Sequence, residues 1–175
     1  MDFAGLKSAV NRWSERDYDD ADLNEFIELA EARIRRNLTG YQREVTSVIN
    51  ADSNGVFPLP TDFTGMRWIS YQDRPYRWSI SGQNATVIDG AGYALDVTYF
   101  GVLPALSNTN TTNWLLTAAP DVYLWLVKAQ AREFNEEWEA AAGLEAKGLS
   151  ALADLNLQST VAQYSRAGLQ LPVHD

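Results

Sequence analysis

The chain has 175 residues, with 23 acidic against 14 basic side chains and a formal net charge of −9. That length suits one domain able to enclose a core, and the excess of negative charge disfavours sequence-independent binding to nucleic acid phosphates. Because the sequence contains no cysteine, disulfides, thiolate metal sites and cysteine nucleophiles are excluded. It has no apolar run of about 18 residues and no apolar signal region near its start, so we expect neither a transmembrane helix nor a signal peptide.

Two amphipathic helices are predicted within residues 1–40. Over residues 3–13, apolar side chains recur at helical spacing on one face. They are Phe3, Leu6, Val10 and Trp13. A second apolar stripe over residues 22–39 follows an acidic linker. Asp22 with Glu25 is predicted to cap this second helix, and Gly40 is predicted to end it.

From residue 44 to residue 100 the apolar spacing changes to two, which predicts a small, mostly antiparallel sheet inserted between helices. Turn residues at 53–55, 73–75 and 89–92 predict three successive hairpins. Pro58 marks its strand as an edge strand, since proline cannot donate to a neighbouring strand.

The helical period returns after the inserted sheet. Pro120 suits the first position of a helix over residues 120–134, where its missing N–H costs nothing. Asn135 is predicted to cap a further helix over residues 136–156. Beyond it the helical spacing fades, so residues 158–175 are predicted to form an extended C-terminal tail.

Together these elements predict an α+β fold. It consists of a bundle of about four helices with an inserted antiparallel sheet over residues 44–100, in a single domain of residues 1–157. An extended tail follows it.

No pattern of catalytic, cofactor-binding or metal-ligating residues is visible. The acidic cluster from Asp17 to Asp22 has Ala21 and Asp22 at the fifth and sixth positions of a possible EF-hand loop, where an oxygen ligand and glycine are required. His174, the only histidine, lies in the predicted tail without a partner to orient it as a catalytic base. Paired carboxylates for glycoside hydrolysis remain an open alternative, although the prediction is that the protein is not an enzyme.

Arginines alternate with aromatic residues in the predicted sheet. Such a pattern can bind single-stranded nucleic acid, but cross-strand pairs with an arginine over an aromatic ring explain it better in so acidic a chain. The residues are Arg67, Arg74, Arg77, Trp68, Tyr71, Tyr76 and Trp78.

Three segments carry a resemblance to a known family. The second helix ends in RIRR at residues 33–36, and the β insertion contains LPTDF at residues 59–63. A polar run then leads into NWLLT at residues 113–117, followed by the proline-initiated helix. In this order, from about residue 6 to residue 155, the chain resembles the head-to-tail adaptor (connector) proteins of tailed bacteriophages.

The resemblance implies a structural virion protein assembled in the host cytoplasm, with no cofactor and no membrane association. Adaptors of this kind form a ring, usually twelve-fold, beneath the portal protein. They join the portal to the next tail or nozzle protein and continue the channel through which genomic DNA passes without specific binding. The alternative is another neck or tail-completion protein of a phage.

Two segments are hypothesised to bind partners. The predicted tail suits insertion against a partner as an added strand, through Leu169, Leu171, Pro172 and Val173. Trp114 and Leu115 form the second hypothetical contact, at the point where the chain returns from the sheet to the C-terminal helices.

Overall fold

The computed structural model describes residues 1–166, in which five α-helices and two antiparallel sheets confirm the α+β class. The chain divides into a helical unit, built from residues 1–40 and from residue 103 onward, and a β unit of residues 41–102. The predicted contact residues Leu169, Leu171, Pro172 and Val173 lie outside the described residues.

The helices of the helical unit share one apolar core. Within the described residues these helices are α1 (Phe3–Ser14), α2 (Asp20–Asn37), α3 (Trp114–Ala118), α4 (Pro120–Phe134) and α5 (Trp138–Arg166). Fully buried side chains from all five of them, including Leu6, Ile34, Leu116, Tyr123 and Leu152, meet in that core. α4 has the bounds predicted from the sequence, with Pro120 at its start.

Both predicted ends of α2, at residues 22 and 39, are wrong. Asp19 is the N-cap, and its Oδ1 accepts a hydrogen bond of 2.9 Å from the Asp22 N–H. A side chain just before the helix reaches the free N–H groups of the first turn, so Asp19 takes the role predicted for Asp22. The helix ends at Asn37, before Gly40, because the chain turns into extended backbone at Leu38 and buries that side chain.

The junction between α4 and α5 also differs from the prediction. Asn135 ends α4, and Glu136 then adopts a left-handed backbone with φ +61°, so α5 begins only at Trp138. At its other end α5 continues through residues 158–166, where an extended tail was predicted. Ser159 is only 2% exposed and extends the packed face of Leu152, but a serine gives no apolar signal at that position.

The β unit contains two sheets instead of the one predicted. The first has the order β1-β7-β3-β4 and the second the order β2-β6-β5. The strands are β1 (Glu44–Asn50), β2 (Val56–Pro58), β3 (Phe63–Tyr71), β4 (Arg74–Pro75), β5 (Trp78–Ser81), β6 (Asn84–Val87) and β7 (Ala94–Gly101). Inward side chains of both sheets, including Phe57, Ile69 and Leu95, form the core of this unit.

Of the three predicted hairpins, only part of the second exists. β1 pairs with β7 and β2 with β6, so the turns at 53–55 and 89–92 each join strands of different sheets. β3 and β4 form a hairpin two pairs long across Gln72 and Asp73, which both have positive φ. β5 pairs with β6. Pro58 does lie in an edge strand, as predicted.

Candidate interaction site

The segment that returns from the β unit contains a short helix that the sequence prediction missed. Asn113 caps α3, since its Oδ1 accepts a hydrogen bond of 2.9 Å from the Leu116 N–H. Leu115 and Leu116 are fully buried, and Trp114 is half-buried against the same core. Of the two predicted contacts in this segment, only Trp114 therefore presents surface, and partner binding through either one stays a prediction.

Asn113 belongs to a buried polar network that holds this segment against α2. Its Nδ2 donates to the Pro104 carbonyl at 2.9 Å and to the Tyr123 hydroxyl oxygen at 2.8 Å. The Tyr123 hydroxyl donates to Glu31 Oε1 at 3.1 Å, and the Leu106 N–H donates to the same oxygen at 2.9 Å. We call the set of Glu31, Asn113 and Tyr123 the buried network.

Burial governs the ionisation of the buried network. It raises the pKa of Glu31, although the hydrogen bonds from the Leu106 N–H and from Tyr123, and the charge of Arg35, act in the opposite direction. Burial also raises the pKa of Tyr123. Arg35 Nη1 lies 3.6 Å from Glu31 Oε2. The polar atoms at the centre are thus paired with one another, which is the arrangement expected of a structural network.

A cavity of about 340 Å³ opens beside Glu31, between α2 and residues 105–108. Its two carboxylates, Glu28 and Glu31, both come from α2. Glycoside hydrolysis needs two carboxyl groups on opposite sides of the scissile bond. Carboxylates that share one helical wall do not supply that arrangement.

A second cluster in the helical unit is partly open to solvent. The rings of Trp13 and Trp125 meet edge to face with their centroids 5.7 Å apart. The Lys128 ammonium lies 5.4 Å from the centroid of Trp13 and 5.8 Å from that of Trp125, and the Lys147 ammonium lies 5.4 Å from the centroid of Trp125. We call these four residues the indole–lysine patch.

Trp13 was predicted to lie on the buried face of α1, and this is wrong. Its side chain is 47% exposed, while Ala9 and Ser14 occupy the packed face with Leu6 and Val10. The Lys128 ammonium donates to the Trp13 carbonyl at 3.2 Å. Since the helix ends one residue later, that carbonyl is among those left without a partner inside the helix.

The indole–lysine patch carries positive charge that the described residues do not neutralise. No carboxylate of residues 1–166 lies within 4.0 Å of either ammonium. Burial lowers the pKa of Lys128, and the charges of Arg132 and Lys147 lower it further. Within a chain of net charge −9, this cluster places positive charge beside aromatic rings near the surface, and aromatic residues are enriched at protein interfaces.

The acidic linker lies at the start of α2. Asp17, Asp19 and Asp20 are all exposed. Lys7 Nζ lies 3.3 Å from Asp20 Oδ1, and it is the one cation within 4.0 Å of these carboxylates in the described part of the chain. The linker therefore presents more negative than positive charge to solvent.

The expected stacking of Arg67, Arg74 and Arg77 on aromatic rings is not found in the described part of the chain. Arg67 forms an ion pair with Glu44 at 2.8 Å. The neighbouring indole of Trp68 donates its Nε1–H to Thr98 Oγ1 at 3.1 Å and is 55% exposed. Within residues 1–166 the cations that lie over aromatic rings are lysines of the helical unit.

None of the helices within residues 1–166 has the length and apolarity needed to cross a membrane. The family model described as SU10 adaptor protein matches residues 1–171, while no curated protein matches the chain significantly. Because the match covers nearly the whole sequence, the chain belongs to the SU10 adaptor protein family, a family of phage head-to-tail adaptors, and is a component of the virion.

Proposed function

We propose that this member of the SU10 adaptor family forms a ring, twelve-fold, below the portal of a tailed phage and joins the portal to a distal tail or nozzle protein. The observation that carries the proposal is the family match, which spans both the helical unit and the β unit. The ring would continue the DNA channel. A net charge of −9 supports this role, because an acidic wall lets a polyanion pass without holding it.

The arrangement of polar and aromatic groups in the helical unit supports a structural role rather than an enzymatic one. Its centre is a buried network whose hydrogen-bonding groups are paired, and its open cluster carries aromatic rings and ammonium groups. Aromatic residues at a surface bury large areas on binding. The exposed side chains of Phe134 and Trp138 add further area of this kind.

The sequence of the C-terminus supports portal binding through residues 169–175. Deleting these residues should abolish binding to purified portal rings, since LQLPVHD offers apolar side chains for an added strand. Binding is measured by co-sedimentation of the full-length chain with portal. Asp175→Asn is the matched control, because it alters the tail but keeps its leucines, proline and valine, and it should bind normally.

Full binding by the deletion variant would refute the role of the tail. Electron microscopy of the virion tests the proposed function itself, because it gives the position of the ring and the number of its subunits. A location away from the portal would instead favour another neck or tail-completion protein.

A further inference from the structure

We infer that the indole–lysine patch of one copy docks onto the acidic linker, residues 17–22, of a second copy of this chain. The inference rests on the proposed ring and identifies the surfaces through which neighbouring subunits meet. Two observations motivate it. The exposed Lys147 and the largely buried Lys128 have no carboxylate partner in the described residues, and the exposed acidic segment has a single nearby cation.

Charge complementarity selects a second copy as the occupant. Two copies that each carry a net charge of −9 repel one another on average. A contact between them is therefore favoured where positive groups of one copy meet negative groups of the other. Lys147 is exposed at the edge of the patch, and Asp17 is exposed in the linker, so neither needs rearrangement to meet a partner.

The aromatic rings add apolar contact area, which charge pairs alone do not provide. An exposed ion pair contributes little to binding, because both charges remain hydrated. The half-exposed ring of Trp13 and the partly buried ring of Trp125 give apolar area beside the ammonium groups. Excluding water from that area strengthens the neighbouring charge pairs.

The geometry of α1 keeps the two surfaces apart within one chain. Lys7 and Asn11 face the linker, since Lys7 contacts Asp20 and the Asn11 Nδ2 donates to the Tyr18 carbonyl at 3.1 Å. At 100° per residue, Trp13 lies roughly 160° around the helix from Asn11. The linker of the same chain therefore does not cover the patch, and a contact between the two surfaces is heterologous, which is the type that can close into a ring.

A charge exchange tests this contact. Lys147→Glu and Asp17→Lys should each raise the dissociation constant for self-association about tenfold, because each places like charges together. The double variant should return to within about threefold of the wild type, because it restores an opposite pair. Sedimentation velocity over a concentration series gives the constants. Arg74→Glu, in the β unit, is the control for net charge, and urea unfolding verifies that each variant is folded.

Cysteine cross-linking gives an independent measurement, because the wild-type chain contains no cysteine. Ala21→Cys lies within the linker and Ala146→Cys lies beside Lys147, and both positions are exposed. A mixture of these two single-cysteine variants should form a mixed disulfide that the Lys147→Glu change suppresses. A mixture of Ala21→Cys with Ser81→Cys, a position in the β unit, should form much less.

The inference is overturned if the Lys147→Glu variant associates like the wild type, or if the 21–146 disulfide forms no faster than the control disulfide. It is also overturned if Lys147→Glu impairs binding to portal without altering self-association, since the patch would then serve a different partner. In each case, normal binding of the wild type to portal rings would leave the proposed function standing.

Discussion

The buried network and the indole–lysine patch both combine polar groups with aromatic rings in the helical unit, yet they are built in opposite ways. In the buried network each side chain has its hydrogen-bonding partner nearby, and the charge of Glu31 faces Arg35. In the indole–lysine patch two ammonium groups lie over one exposed and one partly buried ring, without a carboxylate partner in the described residues. A polar cluster that is complete within the chain stabilises the fold, whereas an incomplete one on the surface is suited to a partner.

Replacing Asn113, at the centre of the buried network, should cause the largest loss of stability. Asn113→Ala removes the cap of α3 and leaves the Tyr123 hydroxyl and the Pro104 carbonyl without their donor. We expect a loss of about 2–4 kcal/mol in the free energy of unfolding, measured by urea denaturation. Asn108→Ala is the matched control, since Asn108 is exposed on the same segment, and it should change stability by less than about 0.5 kcal/mol. Equal effects of the two changes would show that the network does not hold the segment.

Alanine substitutions at two glycines of α5 should distinguish a packed position from an open position on the same helix. A Cβ at Gly148 would lie 2.7 Å from Leu126 Cγ, whereas a Cβ at Gly143 meets nothing within 4 Å. Gly148→Ala should therefore destabilise the protein by about 1–3 kcal/mol through overpacking, while Gly143→Ala should stabilise it by about 0.5–1 kcal/mol through helix propensity. Thermal unfolding followed by circular dichroism measures both. Stabilisation by both changes would mean that α4 and α5 are not in close contact at Gly148.

The smallest change in stability should come from removing the charge of Glu31. Because burial raises its pKa above the ordinary value of 4.5, the folded protein favours the protonated carboxyl. This preference stabilises the folded protein fully below pH 4.5, and the stabilisation is lost as the pH rises through the raised pKa. Glu31→Gln keeps the acceptor oxygen without the charge, so it should gain stability relative to the wild type as the pH rises through this interval.

Urea unfolding at a series of pH values tests this expectation, with Glu25→Gln as the exposed control on the same helix. A stability difference between wild type and Glu31→Gln that does not vary with pH would contradict it.

The presence of four of the five helices in the described residues was predictable from the sequence, because their signals are local. The stripe of α2 and the proline that begins α4 are visible within a few residues. The positions of strands were visible too, but their pairing was not, since β1 pairs with β7 about 50 residues away in the chain and nothing local selects that partner over the next strand along.

The two polar clusters were missed for the same physical reason. Glu31 and Tyr123 are 92 positions apart, and Trp13 is 115 positions from Lys128. One local signal was available: an asparagine immediately before the apolar Trp114-Leu115-Leu116 is a typical helix cap, and it would have predicted α3. The exposure of Trp13 had no such signal, because its spacing fits the buried face of α1.

The pairing of β1 with β7 has a consequence for how such a protein can vary. Glu44, near the entry to the β unit, lies directly opposite Phe100, near its exit, and the Arg43 Nε donates to the Gly101 carbonyl at 3.0 Å. Opposite residues of an antiparallel pair are only about 5 Å apart. The β unit is thus an insertion with adjacent ends. An insertion of this kind can be enlarged or exchanged without rerouting the rest of the chain, so that one scaffold can carry different appendages.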